Sequence, residues 1–286
     1  MKKILVLLIS LFMLSSCSFN SKKLENATIY TTVYPIKYIT EYLYGTDGTI
    51  ESIYPSDANF EEYSLTEKQI EEYSKGDLFV YMGVGNEKET AKTFLNKNNK
   101  LLIIDATYGL NYKNSIEELW LAPNNFLMLV KNIKSSLDEY IDNTVKKDDI
   151  KSKYDELYEK VSWLDAELRS IGKNAKKNED NTLIVATNKF KFLETYNFNV
   201  ISIEDIEKSQ NETSISELKN KFKTSKYSKI LNLKDDKTSD LVNELTSKYG
   251  ATLVNYDSIK STTDTASDYV SMQYENIATI RNYLEK

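Results

Sequence analysis

Residues 147–177 read KDDIKSKYDELYEKVSWLDAELRSIGKNAKK, and this stretch divides the chain into two halves. Within it Ile150, Tyr154, Leu157, Val161, Leu164, Leu168 and Ile171 recur at alternating intervals of four and three residues. That spacing sets apolar side chains along one stripe of an α-helix for roughly six turns. The stripe fits either a coiled coil with a second chain or a helix laid along the protein's own lobes. It is short for an intermolecular coil, and an internal helix accounts for it equally well. A helix that runs from one lobe to the other resists bending, because bending breaks backbone hydrogen bonds. It would act as a rigid strut.

Outward from that helix, both flanks alternate short apolar runs with amphipathic segments, the pattern of parallel α/β architecture. The first flank predicts strands near Thr28–Val33, Ile50–Tyr54, Leu78–Met82 and Leu101–Ile104, with helices between them such as Ile36–Tyr44 and Glu67–Tyr73. After Asn181 the pattern restarts, with strands near Thr182–Ala186, Val200–Ile203, Lys229–Asn232 and Thr252–Tyr256. The expectation is an α/β fold of two lobes, residues 28–143 and 181–286, each with a roughly four-stranded parallel sheet. One long rigid helix over 147–177 bridges them. Hydrophobic residues at 41% allow a packed core, and 8 Gly with 3 Pro argue against a sandwich of many tight turns.

The first 16 residues read as an export leader. Lys2 and Lys3 precede an apolar run, Ile4 to Leu14, too short to serve as a membrane-spanning helix. It ends in Leu14-Ser15-Ser16-Cys17, which resembles the bacterial lipobox, and Cys17 is the one cysteine of the chain. The resemblance implies lipidation at Cys17, a polar tether over 17–27, and a site on the extracytoplasmic face of the cell membrane. A single cysteine excludes disulfides and Cys-zinc sites. Loss of Lys2 and Lys3 with the leader takes the net charge from −6 to −8, which disfavours nucleic acid and anionic bilayers as partners. The anchor must then be the lipid.

Several short motifs fall in one order along the rest of the chain. Thr31-Thr32-Val33-Tyr34-Pro35 comes first, then Tyr63-Ser64-Leu65-Thr66 with Gly76-Asp77-Leu78-Phe79-Val80-Tyr81. Trp120-Leu121-Ala122-Pro123, Phe190-Lys191-Phe192 and Tyr256-Asp257-Ser258-Ile259 follow. Together they resemble the metal-binding solute-binding proteins of bacterial ABC importers, which deliver zinc, manganese or iron. The resemblance implies capture of a divalent metal ion, Mn or Zn, as cargo in the interlobe cleft. It also implies delivery by a monomer to a permease and its ATPase, with no covalent chemistry. Carried over position by position, the four ligand positions of the family fall on Glu61, Glu118, Thr187 and Asp257. Glu62 and Glu117 stand beside the first two, and a one-residue shift of register would exchange them. The family's histidines are all missing, since the chain has no His. Oxygen donors suit hard ions such as Mn²⁺, and a hydroxyl such as that of Thr187 suits a carboxylate or a coordinated water better than the metal itself.

Other chemistries find little footing. Gly83-Val84-Gly85 follows an expected strand, but Asn86, Glu87 and Lys88 continue without the third glycine of a dinucleotide loop. Without His or a free thiol most nucleophile–base pairs are absent, so no catalytic residue is assigned and an enzyme is not expected. The rival reading is a degenerate relative that keeps the two-lobed fold but serves as a surface interaction protein or binds another solute.

Overall fold

The computed structural model describes residues 24–55, 58, 60, 62–83, 85–261 and 268–285; Cys17 with its leader, and Glu61, lie outside them. In the N lobe, β1 (Thr28–Thr31), β2 (Thr49–Ser52), β3 (Leu78–Tyr81) and β4 (Leu102–Asp105) form one parallel sheet in the order β2-β1-β3-β4. Strand β3, Leu-Phe-Val-Tyr, is buried along its whole length, as expected where helices cover both faces of a parallel sheet. Helix α1 (Tyr34–Tyr44) carries Pro35 in its first turn, where a missing N–H costs nothing. Helix α2 (Glu67–Tyr73) starts with a capping box between Thr66 and Gln69. Helices α3 (Glu87–Lys97), α4 (Glu118–Leu121) and α5 (Pro123–Tyr140) complete the lobe.

The C lobe repeats the plan. Strands β5 (Thr182–Val185), β6 (Asn199–Ser202), β7 (Lys229–Leu233) and β8 (Thr252–Tyr256) are parallel in the order β6-β5-β7-β8. A 3-10 helix (Asn188–Tyr196), then α7 (Ile203–Ser209), α8 (Glu212–Lys223), α9 (Asp240–Tyr249) and α10 (Tyr269–Leu284) surround that sheet. The two four-stranded halves and the long linking helix agree with the sequence pattern.

The strut is α6, Thr144–Lys177. It starts three residues before the expected Lys147, because the Asn143 side chain accepts the Lys146 N–H at 3.1 Å and caps an extra turn. Ile150, Leu157, Val161, Leu164 and Leu168 are buried, with Tyr154 and Ile171 packed at the margin of the same core. That core runs continuously from Ile29 in β1 to Leu183 in β5, so the apolar stripe is covered by the protein's own lobes. Gly172 marks the closest approach. A Cβ there would lie 1.8 Å from the Tyr196 carbonyl oxygen, so the strut and the 3-10 helix touch backbone to backbone.

A second seam joins the lobes at Trp120, which is 1% exposed. Its indole N–H donates to the Ser258 carbonyl at 2.9 Å. Its own carbonyl accepts from the Tyr269 hydroxyl at 2.7 Å and from Gln273 Nε2 at 3.0 Å. Tyr269 stacks on Phe126, with ring centroids 3.5 Å apart and planes 9° off parallel. Among the described residues no helix is long and apolar enough to cross a membrane.

Candidate metal-binding cleft

In open parallel sheets the loops at the carboxyl ends of the strands form the binding crevice. Here the two sheets offer two such ends, and their chemistry differs.

At the N-lobe end, the chain leaving β1, β2 and β3 gathers on Glu87 in the first turn of α3. Glu87 is 2% exposed, and its Oε2 accepts the Met82 N–H at 2.7 Å. Burial pushes its carboxyl up to about 8, and the hydrogen bond from the Met82 N–H pulls the other way without offsetting it. Its Oε1 and the Thr32 hydroxyl are buried without a hydrogen-bond partner, which favours the protonated acid as the cheaper form to bury. Gly83 turns the chain at φ +73°, and a Cβ there would fall 2.2 Å from the Asp105 carboxylate. The result is a buried carboxyl that holds its proton well above the usual carboxylate range.

At the C-lobe end the groups are ionic. Thr187 follows β5 and caps the 3-10 helix, its hydroxyl accepting the Lys189 N–H at 3.3 Å. Asp235 and Asp236 follow β7, and the stretch Asp257–Lys260 follows β8. Asp257 is locked by its backbone: its N–H donates to Asn276 Oδ1 at 2.7 Å, and its carbonyl accepts from Asn276 Nδ2 at 3.0 Å. Its carboxylate accepts the Ile259 N–H at 2.8 Å, bracing a β-branched residue at the strained φ of +52°. Ser258 donates to Asp235 Oδ2 at 2.5 Å.

The adjacent acids Glu117 and Glu118 face different ways. Glu118 is spent on its own loop: Oε1 accepts from the Asn114 N–H at 2.8 Å and from Asn114 Nδ2 at 2.7 Å, and Oε2 accepts the Lys113 N–H at 3.1 Å. Glu117 crosses the cleft. Its Oε1 lies 2.9 Å from Lys189 Nζ and 3.8 Å from Lys260 Nζ. Asp236 meets the same two ammonium groups at 2.9 and 3.6 Å. Burial alone would lower the pKa of Lys189, but hydrogen bonds and charge from Glu117 and Asp236 outweigh it and raise the pKa.

Of the four expected ligands, Glu118, Thr187 and Asp257 are each engaged in a local hydrogen bond, and Glu61 lies outside the described residues. Among the described residues no three His, Cys, Asp or Glu side chains are grouped closely enough to hold a metal ion. The side chains that do meet across the cleft are Glu117, Asp236, Lys189 and Lys260. Glu117 is the residue that the one-residue shift of register selects. The other three, and Glu87, carry no local signature that sequence reasoning could have used. A separate concavity of about 640 Å³, lined by residues including Leu24, Asp47, Ile141 and Lys146, lies at the amino ends of the N-lobe strands, away from this chemistry.

Two parallel α/β lobes held by a rigid helix, with a charged crevice between their carboxyl ends, define the class of extracytoplasmic solute-binding proteins. Residues 29–283 match the ZnuA family, the periplasmic component A of the zinc-uptake complex, and the chain belongs to that family. Its members are the metal-binding components of ABC importers, not enzymes. Among solved structures, the Zn(II)-bound ZnuA-like domain of Streptococcus pneumoniae AdcA is similar at 21% identity, with a TM-score of 0.71, covering 91% of this chain and 100% of that one. The metal-dependent lipoprotein YcdH of Bacillus subtilis matches at 19% identity and TM-score 0.71, over 89% of this chain and 98% of that one. The periplasmic zinc-binding protein TroA of Treponema pallidum matches at 18% and 0.69, over 91% and 100%. At such identities these structures speak for the fold alone. No curated protein sequence matches significantly.

Proposed function

We propose that this chain is a lipid-anchored receptor, tethered through Cys17 outside the membrane, that carries a divalent metal ion of the Mn or Zn class to an ABC permease. The cargo lies in the interlobe cleft, with Glu61, Glu118 and Asp257 as oxygen donors and Thr187 binding a donor or a coordinated water. The observation that carries this reading is that Glu117 from one lobe and Asp236 from the other converge on one positive charge. A cleft built around a cation suits a cation as cargo, and oxygen donors favour hard ions. The rival, a relative that keeps the fold without a metal, draws on the same spot: that positive charge is the chain's own ammonium group.

Thermal unfolding across Mn²⁺, Zn²⁺, Mg²⁺ and Ca²⁺ separates the two. A cargo ion stabilises the fold by about 2.7 kcal/mol at roughly a hundred times its dissociation constant. No shift with any ion at millimolar concentration would hand the cleft to the rival.

A further inference from the structure

We infer that the base of the N lobe, where the chain enters β1, β2, β3 and β4, is the face that rests on phospholipid headgroups. The strut then stands up from the membrane, with the interlobe crevice at mid-height. This rests on the lipid anchor of the receptor reading and adds which face of the protein meets the bilayer.

The length of the chain carries it. Cys17 and Leu24 are seven residues apart, and a fully extended chain covers no more than about 25 Å in that many steps. Leu24 itself is fixed: it is 3% exposed, and its carbonyl accepts the Tyr44 hydroxyl. The Thr28 N–H, at the start of β1, donates to Asp77 at 2.9 Å. Leu24 lines the concavity of about 640 Å³ beside Asp47, Ile141 and Lys146, so the anchor is tied to the amino ends of the N-lobe strands. The strut starts at the same place, where Lys146 Nζ pairs with Asp47 at 2.6 Å. Its 34 residues span about 51 Å, and it ends at Lys177, shortly before β5 opens the C-lobe sheet at Thr182. Along the strut the order is therefore N-lobe base, crevice, far end of the C lobe. An anchor about half as long as the strut holds the base at the surface and cannot invert the molecule.

Charge decides between standing up and lying flat. Lys75, Lys97, Lys100, Lys146 and Lys147 gather at the base and offset the acids that precede the strands there. The net charge of −8 on the leaderless chain therefore falls on the other faces of the molecule. Anionic headgroups repel those faces and leave the base as the one that can approach. Lys75 and Lys100 are exposed there, and each carries a flexible ammonium group that can meet a lipid phosphate.

The experiment is lysine footprinting on vesicles. Cys17 is the one cysteine of the chain, so the leaderless protein couples through it alone to a maleimide-bearing phospholipid. The vesicles are phosphatidylcholine with a minority of phosphatidylglycerol. Brief acetylation followed by mass spectrometry compares the coupled chain with the same chain beside vesicles that lack the maleimide lipid. Acetylation of Lys75, Lys97 and Lys100 is expected to slow severalfold on coupling. Lys160 at the middle of the strut, and Lys173, Lys208 and Lys237 beyond the crevice, are expected to keep their rates. Slowing of Lys160 to the same degree as the base would mean that the molecule lies flat, and unchanged rates at the base would mean that it does not touch the bilayer; either overturns the inference. The anchor is tested separately, by membrane fractionation of cells making the full chain or its C17S variant. A C17S chain that stays with the membranes would sink the lipid anchor of the receptor reading, while the footprint of the coupled chain still decides which face meets lipid.

Discussion

At the carboxyl end of the N-lobe sheet one acid, Glu87, is sealed under Thr32, Tyr54 and Met82 and held neutral by burial. At the same end of the C-lobe sheet, Asp235, Asp236, Asp257, Lys189 and Lys260 stand partly in solvent as ions and hydrogen-bonded carboxylates. Both sheets have the same strand order about their first strand, β2-β1-β3-β4 against β6-β5-β7-β8. The two ends therefore differ in side chains, not in topology. At the N-lobe end the acid that the strand ends gather on, Glu87, is buried. The C-lobe end is a partly exposed set of charges, and Glu117 reaches across to it from the N lobe.

The comparison is broken most severely by cutting the seam that holds the two ends face to face. Trp120→Ala removes a ring that is 1% exposed and leaves the Ser258 carbonyl without its donor. Deleting a large buried aromatic costs about 3–5 kcal/mol. Urea unfolding is expected to show a midpoint lowered accordingly. A loss below ~1 kcal/mol would mean that the strut alone holds the lobes.

Much of this architecture could be read before any coordinates. The stripe from Ile150 to Ile171 and the runs around Leu78–Tyr81 and Thr182–Val185 announce their elements, because burial on one face or both leaves a local pattern. The cleft was less legible. Of the positions carried over from the family, Thr187 follows β5 and Asp257 follows β8, as strand ends in this topology require, while Glu61 lies outside the described residues. Which acid crosses the cleft, Glu117 or Glu118, depends on a single helical step of about 100°. Lys189 and Lys260 look like any of the 37 basic residues in the sequence. Their convergence is a property of two loops brought together from 71 residues apart, and no window of sequence holds it.

A smaller effect sharpens the buried side of the comparison. The Glu87 carboxyl titrates near 4.5 in the unfolded chain and at about 8 in the folded one. Between those values the native state holds a proton that the unfolded state has lost, so stability falls as pH rises, by up to roughly 1.4 kcal/mol per pH unit. It is fully present below about 4.5 and gone above about 8. The chain has no histidine to titrate in that window, so the slope belongs largely to Glu87. Among the described residues, Asp105 and Lys88 also stand at this end, paired at 3.9 Å. Glu87→Gln keeps the shape and cannot ionise; its stability is expected to be flat from pH 5 to 8, as measured by urea unfolding. A slope in the Gln variant equal to wild type would show that Glu87 is already charged in the fold.

The finest test sets one substitution at two adjacent positions. Glu118→Gln places an amide N–H₂ where Lys113 and Asn114 present donors to both carboxylate oxygens, so one N–H is left facing another. A buried donor without an acceptor costs about 1–3 kcal/mol, and the loss should persist in high salt because the partners, two backbone N–H groups and the Asn114 amide, carry no net charge. Glu117→Gln instead leaves a neutral oxygen at 2.9 Å from Lys189 Nζ, which still accepts a hydrogen bond, while Asp236 continues to pair both lysines. Only part of an incompletely shielded ion pair is lost, about 1 kcal/mol or less. Because the lysines reach solvent, that loss should fade between 0.1 and 1 M NaCl as the screening length falls from ~10 to ~3 Å. Urea midpoints for both variants at the two salt concentrations make the measurement. If the Glu117 loss is the larger and is unmoved by salt, the charges of the cleft are as shielded as Glu87, and the contrast between the two sheet ends fails.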